Sequence, residues 1–328
     1  MRTSTIRGAS PLGLPLTLSR APLAPARSVR VARSRARSRR SWGLCPSGKT
    51  KLALLIIVAT AGVSAQVPLG KEGLEVRTHE ALAALDRYLE TWNSRDPKRW
   101  ATSLHFPHVR PGPGAFELSE TPEQYAAGVN YSQTLKTGWH HSEWTSRRVL
   151  HIGLNQAHVA GSWTRYTEDD RPLVGSDITY IVTNQGGRWG VLSRFAAGPS
   201  GLDAAAAAAN GAAARKALET YFAAINRHDL PALTAAVHYP HVRIADGAVE
   251  ISRTAAEFGG GSEPGRLRTW FETRIDRIEV VQTSANGVNI ALTYSRRDRS
   301  GRIMSTYDAM ILAVRRDDGW RVQAVSTI

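Results

Sequence analysis

The chain has 328 residues, enough for two domains that each bury a core of their own. Its formal charge of +14 looks like that of a nucleic-acid binder. However, the first 51 residues carry ten Arg, two Lys and no acidic residue, leaving 30 of the 42 basic residues against all 28 acidic ones. The remainder is close to neutral, so the basic total is no argument for a nucleic-acid partner, and none is expected.

Taken in chain order, residues 1–51 are rich in Arg, Ser, Pro and Ala, lack apolar periodicity and are expected to be a disordered leader. An apolar run over 52–65 follows, ending in Val63-Ser64-Ala65. A basic stretch, a short apolar run and a small-x-small end are the layout of an export signal. The expectation is a periplasmic or secreted protein cut after Ala65, with no stable membrane insertion afterwards. The alternative is a membrane anchor retained through 52–65, although the run is short for a spanning helix. Ser38-Arg39-Arg40-Ser41-Trp42 resembles a twin-arginine signal. Gly43-Leu44-Cys45-Pro46-Ser47-Gly48-Lys49-Thr50 matches the phosphate-loop pattern, but an Arg/Ser tract stands where that loop needs a buried strand, so no nucleotide is expected. Cys45 is the sole cysteine and lies ahead of the cleavage point.

Beyond the leader the chain repeats itself. His105-Phe106-Pro107-His108-Val109-Arg110 returns as His238-Tyr239-Pro240-His241-Val242-Arg243. At the same offset Tyr88, Asn93, Asp96, Glu117 and Thr121 match Tyr221, Asn226, Asp229, Glu250 and Thr254. About a third of positions 88–125 are identical. After a two-residue slip, Trp139, Arg165 and Trp189 pair with Trp270, Arg296 and Trp320. So long a period means two whole domains, not stacked small repeats. Their expected limits are 78–197 and 212–328, with an Ala/Gly-rich linker over 198–211 that turns helical into the second copy.

Each copy opens with an apolar stripe at helical spacing: Leu82, Leu85, Leu89 and Trp92, then Leu218, Tyr221, Phe222 and Ile225. An Asn-x-x-Asp break follows, with Asp96 and Asp229 placed to cap a short second helix. A third helical patch is expected over 121–135; near Thr254 its counterpart is cut short by Gly259-Gly260-Gly261. Long alternating strands follow near 143–154, 157–167, 175–184 and 188–196, and near 270–284, 287–297, 302–315 and 319–327. Helices followed by an antiparallel meander give an α+β fold with helices packed on one sheet face.

The helix order, the Asn-x-x-Asp break and the closing Trp189-Gly190-Val191 and Trp320-Arg321-Val322 strands resemble the nuclear-transport-factor-2-like (NTF2-like) superfamily, in its SnoaL-like branch. The hexapeptide and Gly138-Trp139-His140-His141-Ser142 are similar to a bacterial subgroup of that branch. The resemblance implies two tandem cone-shaped domains, each with N-terminal helices on a curved, mostly antiparallel sheet around an apolar pocket. It also implies sheet-to-sheet pairing, either between the two copies as an intramolecular pseudo-dimer or in a homo-oligomer. Ketosteroid isomerases, polyketide cyclases, dehydratases and non-catalytic binders share that fold, so fold alone selects no function.

Several side chains could carry chemistry. In an extended segment His108 and Arg110 point to one face, as do His241 and Arg243, and such a pair could hold a carboxylate or move a proton. The structural alternative is His bonding backbone while Arg pairs with Glu117 or Glu250. His105, His108, His140 and His141 could converge on zinc, but His105 and His108 span a proline-containing extension, not a helix, so their rings need not meet, and no metal or other cofactor is expected. Asp177 with Tyr180, and Asp308 with Tyr307, are the candidate acids and oxyanion partners that the family's isomerases imply. Trp139, Trp144, Trp163, Tyr166, Trp270 and Tyr294 supply aromatic surface. Expected ligand contacts are therefore His105, Arg110, Trp139, His140, His141 and Tyr180, then His238, His241, Arg243 and Asp308; His108 and Asp177 are the catalytic candidates. The leading reading is binding of a small, partly apolar molecule. An isomerase, cyclase or dehydratase and a non-catalytic protein-interaction module are the alternatives.

Overall fold

Two six-stranded sheets, each with its own helices, make up a computed structural model that describes residues 70–114, 116–199, 201–261 and 270–328. The expected leader, the apolar segment 52–65 and the twin-arginine and phosphate-loop patterns lie outside the described residues. Among the described residues no helix is long and apolar enough to cross a membrane.

Helix α1 (Lys71–Asn93) buries Ala81, Ala84, Leu85, Tyr88 and Leu89, and α5 (Ala204–Asn226) buries Ala214, Leu218, Tyr221 and Phe222. The spacing of three and four places each set on one face. The Asn-x-x-Asp break has the same physical role in both copies. Asn93 exchanges side-chain hydrogen bonds of 2.9 Å with the backbone of Ser142, and Asn226 does so with Thr273 at 2.9 and 2.7 Å. Each asparagine thus pins the helix end to the sheet. Arg95 and His228 then take left-handed backbone (φ 59° and 52°), reversing the chain. Asp96 and Asp229 cap the helices α2 (Pro97–Ala101) and α6 (Leu230–Ala235).

The hexapeptides lie in β1 (Leu104–Arg110) and β7 (Val237–Ala245), with cis peptide bonds at Phe106–Pro107 and Tyr239–Pro240. The rest of the first sheet is β2 (Glu117–Ser119), β3 (His141–Ile152), β4 (Gln156–Tyr166), β5 (Pro172–Gln185) and β6 (Arg188–Pro199). The second sheet adds β8 (Ala248–Ser252), β9 (Glu272–Thr283), β10 (Gly287–Arg297), β11 (Ile303–Arg316) and β12 (Gly319–Thr327). Orders β2-β1-β6-β5-β4-β3 and β8-β7-β12-β11-β10-β9 are the same topology twice, antiparallel except for β1 on β6 and β7 on β12.

Two stretches are built as follows. The patch at 121–135 divides into α3 (Pro122–Gly128) and α4 (Ser132–Leu135), because Val129 is extended and ends the first turn. The stretch 198–211 is mostly helix: β6 runs to Pro199 and α5 starts at Ala204, capped by Asp203 over a run of alanines, the best helix formers. In the second copy α7 (Ala255–Gly261) matches α3.

Each domain has its own core between helices and the inner sheet face. One gathers Leu85, Tyr88, Trp100, Leu104, Tyr180 and Val191; the other gathers Leu218, Phe222, Leu233, Phe258, Ile290 and Ile311. A third apolar cluster joins the two domains, packing Val109, Ile181, Leu192 and Phe195 against Val242, Ile244, Met310 and Leu312. Polar contacts register that joint. Thr179 donates to Gln282 (2.9 Å), Asn289 to the Phe195 carbonyl (2.8 Å) and Ser284 to the Ala197 carbonyl. His158 and Gln156 both reach Ser326.

Candidate functional site

The inner face of the first cone encloses a cavity of about 500 Å³. Strand alternation decides what lines it. Trp163 and Arg165 from β4, Ser176 and Ile178 from β5, and Arg194 and Ala196 from β6 project inward. Helix α1 adds Tyr88, Leu89 and Trp92, α2 adds Trp100 and α3 adds Tyr125, while Arg110 and Glu117 come from β1 and β2. Exposed Glu117, Gly128 and Asn130 stand at its open side.

Arg194 dominates the floor. It is 6% exposed, yet no carboxylate pairs with it among the described residues. One terminal nitrogen donates to the Tyr88 phenol at 2.6 Å, the other to the Tyr125 phenol at 3.4 Å, and Nε has no partner. The guanidinium carbon lies 5.7 Å from the Tyr88 ring centre and 5.4 Å from that of Trp100. Burial raises the pKa of Tyr125, so that phenol is neutral and supplies no compensating charge. Arg165 sits between Trp92 and Trp163, at 5.4 and 5.2 Å, and its Nε is likewise buried and unpartnered. Arg110 bonds Glu117 at 2.5 Å, so the cavity's single carboxylate is already engaged.

The residues expected to carry chemistry are placed as follows. Arg110 lines the cavity and makes the structural pairing with Glu117; Arg243 and Glu250 repeat it at 3.4 Å. His108 is fully buried behind Tyr125, its ring 5.3 Å from the phenol ring and its Nδ1 on the Val191 carbonyl at 3.2 Å. Burial, then Arg194 and Arg110, depress its pKa well below the usual imidazole value. His105 turns away to Thr183 (2.8 Å) and is lowered to about 4 by burial and Arg188. His238 faces the carbonyls of Val314 and Gly319, and His241 is buried and lowered to about 3 by burial and then Arg243.

The catalytic assignment of Asp177 meets a geometric obstacle. Its neighbours Ser176 and Ile178 face the cavity, so alternation sends Asp177 to the opposite face, where it accepts from Ser162 at 2.6 Å. Asp308 accepts from Thr293 in the same way. Tyr180 is buried against Tyr88 and Trp144, outside the cavity wall. Trp139 stacks on Tyr131 and donates to Ser142, beside the cavity but not in its wall. His140 and His141 meet each other at 3.2 Å, with His141 near Glu143 and Asp170. Among the described residues no three His, Cys, Asp or Glu side chains gather around a metal position.

Arg194, Tyr88, Trp92, Trp100 and Tyr125 were absent from the expected contacts. The available signal was a cation within Val191-Leu192-Ser193-Arg194-Phe195, an otherwise largely apolar strand, at a place where the second copy has Val325.

The second interior is built differently. Strand pairing makes Tyr294 and Tyr307 the counterparts of Trp163 and Ser176, and Val325 that of Arg194. Tyr307 stacks on Tyr294 at 5.1 Å where the first cone has only a serine. Arg296, matching Arg165, is clasped by Trp270 at 3.7 Å and Tyr307 at 4.9 Å. Leu233 and Phe258 replace Trp100 and Tyr125, and both belong to the apolar core.

Residues 79–199 match the family model described as NTF2-like protein (DUF6841). The first domain belongs to the NTF2-like superfamily. Solved structures similar to parts of the chain include a cystatin-like-fold protein of unknown function from Nostoc punctiforme. It is 7% identical over 37% of this chain and 90% of that one, with a TM-score of 0.32. A cystatin-like-fold protein from Caulobacter vibrioides is 18% identical over 36% and 88%, with a TM-score of 0.30. A structure titled a putative ketosteroid isomerase from Shewanella frigidimarina is 12% identical over 35% and 94%, with a TM-score of 0.30. No curated protein sequence matches the chain. The second domain repeats the NTF2-like architecture strand for strand.

Proposed function

We propose that the first NTF2-like domain is a receptor for a small, partly apolar molecule, and that the second is its structural partner. The observation that carries this reading is the cavity of about 500 Å³, walled by five aromatic rings with a few convergent polar groups. Sites for small molecules have this make-up. Binding is favoured over proton transfer because His108 and Asp177 both lie outside the cavity wall, and the carboxylate that does line it, Glu117, is held by Arg110. In the second domain Tyr307 stacks on Tyr294 where the first has Ser176, and Phe258 packs into the apolar core.

The test copies the second domain's solution into the first. Ser176→Tyr places a phenol where Tyr307 stands in the other copy. In calorimetric titration with the neutral aromatic 2-naphthylmethanol, wild type should bind and the variant should lose binding while keeping its far-ultraviolet circular dichroism. Unchanged binding by a folded Ser176→Tyr protein would show that the cavity is not the receptor site. Export is proposed alongside, on the apolar run 52–65 behind a basic leader. N-terminal sequencing of the protein recovered outside the cytoplasm should begin near Gln66; an intact Arg-rich end would refute it.

A further inference from the structure

We infer that the molecule held by the first domain is a monocarboxylate with a flat apolar body, its carboxylate anchored by Arg194. This rests on the receptor reading above and adds the chemical class of the ligand. Three guanidiniums line the cavity, from Arg110, Arg165 and Arg194, against the single carboxylate of Glu117. Glu117 is engaged by Arg110, leaving Arg165 and Arg194 without an anion among the described residues. A buried charge is costly to hold without a counter-charge, and an arginine does not escape the cost by losing its proton.

The bland alternative is that phenols and rings alone satisfy Arg194. They do so incompletely. Tyr88 takes one short bond, the contact to Tyr125 is long at 3.4 Å, and Nε donates to nothing. Both phenols are also acceptors without a full negative charge. A planar carboxylate matches the guanidinium fork with two parallel bonds. Within the wall, Trp92, Trp100, Trp163 and Ile178 supply apolar surface suited to a ring. That surface argues for a carboxylate with an apolar body over a free inorganic anion. The second domain provides an internal comparison: it has Val325 at the position of Arg194 and offers no such anchor.

The experiment compares three probes on the full chain by isothermal titration calorimetry: 2-naphthoate, its neutral analogue 2-naphthylmethanol, and inorganic phosphate. Naphthoate should bind at least about tenfold more tightly than the alcohol, the size of one hydrogen-bonded charge contact. Arg194→Met should remove that preference, and Arg194→Lys should retain part of it. Equal affinity of the two naphthyl probes would overturn the carboxylate inference and leave the receptor reading standing. Phosphate competing as strongly as naphthoate would overturn the requirement for an apolar body. Failure of both naphthyl probes would remove the receptor reading and this inference with it. The wild-type comparison between acid and alcohol stands even where Arg194→Met does not fold.

Discussion

Arg194 and Val325 hold the same place in the two domains: Arg194 pairs across the sheet with Tyr180, and Val325 pairs with Ile311. Around Arg194 stand two phenols and an indole; around Val325 the same positions are Tyr221, Phe258 and Leu233. The identical cation should therefore be tolerated at one site and not at the other. Val325→Arg is expected to cost about 1–3 kcal/mol, since Val325 is partly buried against the apolar core and the positions of Trp100 and Tyr125 are taken there by Leu233 and Phe258. Urea denaturation checks this; an unchanged midpoint would mean that the second interior is wetter than its packing indicates.

Tyr88 holds the floor cation in place through its 2.6 Å hydrogen bond. Tyr88→Phe keeps the ring and deletes the acceptor, so the loss is the hydrogen bond to a charged group, about 1.5–3 kcal/mol. Thermal unfolding should show it. Tyr221→Phe in the second domain, where valine replaces the arginine, should cost less, and equal losses would contradict the role assigned to Tyr88.

Acid should destabilise the fold well before carboxylates titrate. His105, His108, His158 and His241 are buried and held neutral, with His105 at about 4, His241 at about 3 and the other two well below 6.5, in each case chiefly through burial. The unfolded chain takes up these protons near pH 6.5, the folded chain only at its depressed values. Stability is thus complete above 6.5 and falls as pH drops through 6.5 toward 4, by up to about 1.4 kcal/mol per pH unit for each histidine. Urea midpoints measured from pH 7.5 to 5 should decline, and a flat profile would show that these rings are hydrated.

The joint between domains should depend on close approach and little on surface charge. A β-carbon on Gly287 would overlap the carbonyl oxygen of Ala197, so Gly287→Ala should cost about 1–3 kcal/mol. Arg148 and Glu279 also bridge the domains, at 2.5 Å, but both are about half exposed. Arg148→Ala should change stability by less than about 1 kcal/mol. The reverse ranking in chemical denaturation would overturn this account of the joint.

Much of the architecture was legible because it rests on local rules. The Asn-x-x-Asp break announced a helix end and a new cap, and both asparagines and both aspartates act so in the fold. Alternating strands were placed within a few residues for the same reason. The site was less legible because a side chain's destination depends on which strand face turns inward. Asp177 and Ser176 differ by one position, and only the sheet's packing tells which reaches the cavity. The hexapeptide histidines drew notice through repetition, yet both copies use them on backbone or in the core. Differences between copies were the better guide: Arg194 against Val325, Ser176 against Tyr307.

The sheet-to-sheet joint also changes what a binding site can become. Two identical subunits must accept every substitution on both sides of their contact at once. Here a single polypeptide supplies both sheets, so one copy can keep Ser176 and Arg194 on its inner face while its neighbour carries Tyr307 and Val325 at the matching positions. Dilution cannot part them, and the first domain keeps its support even as a lone molecule.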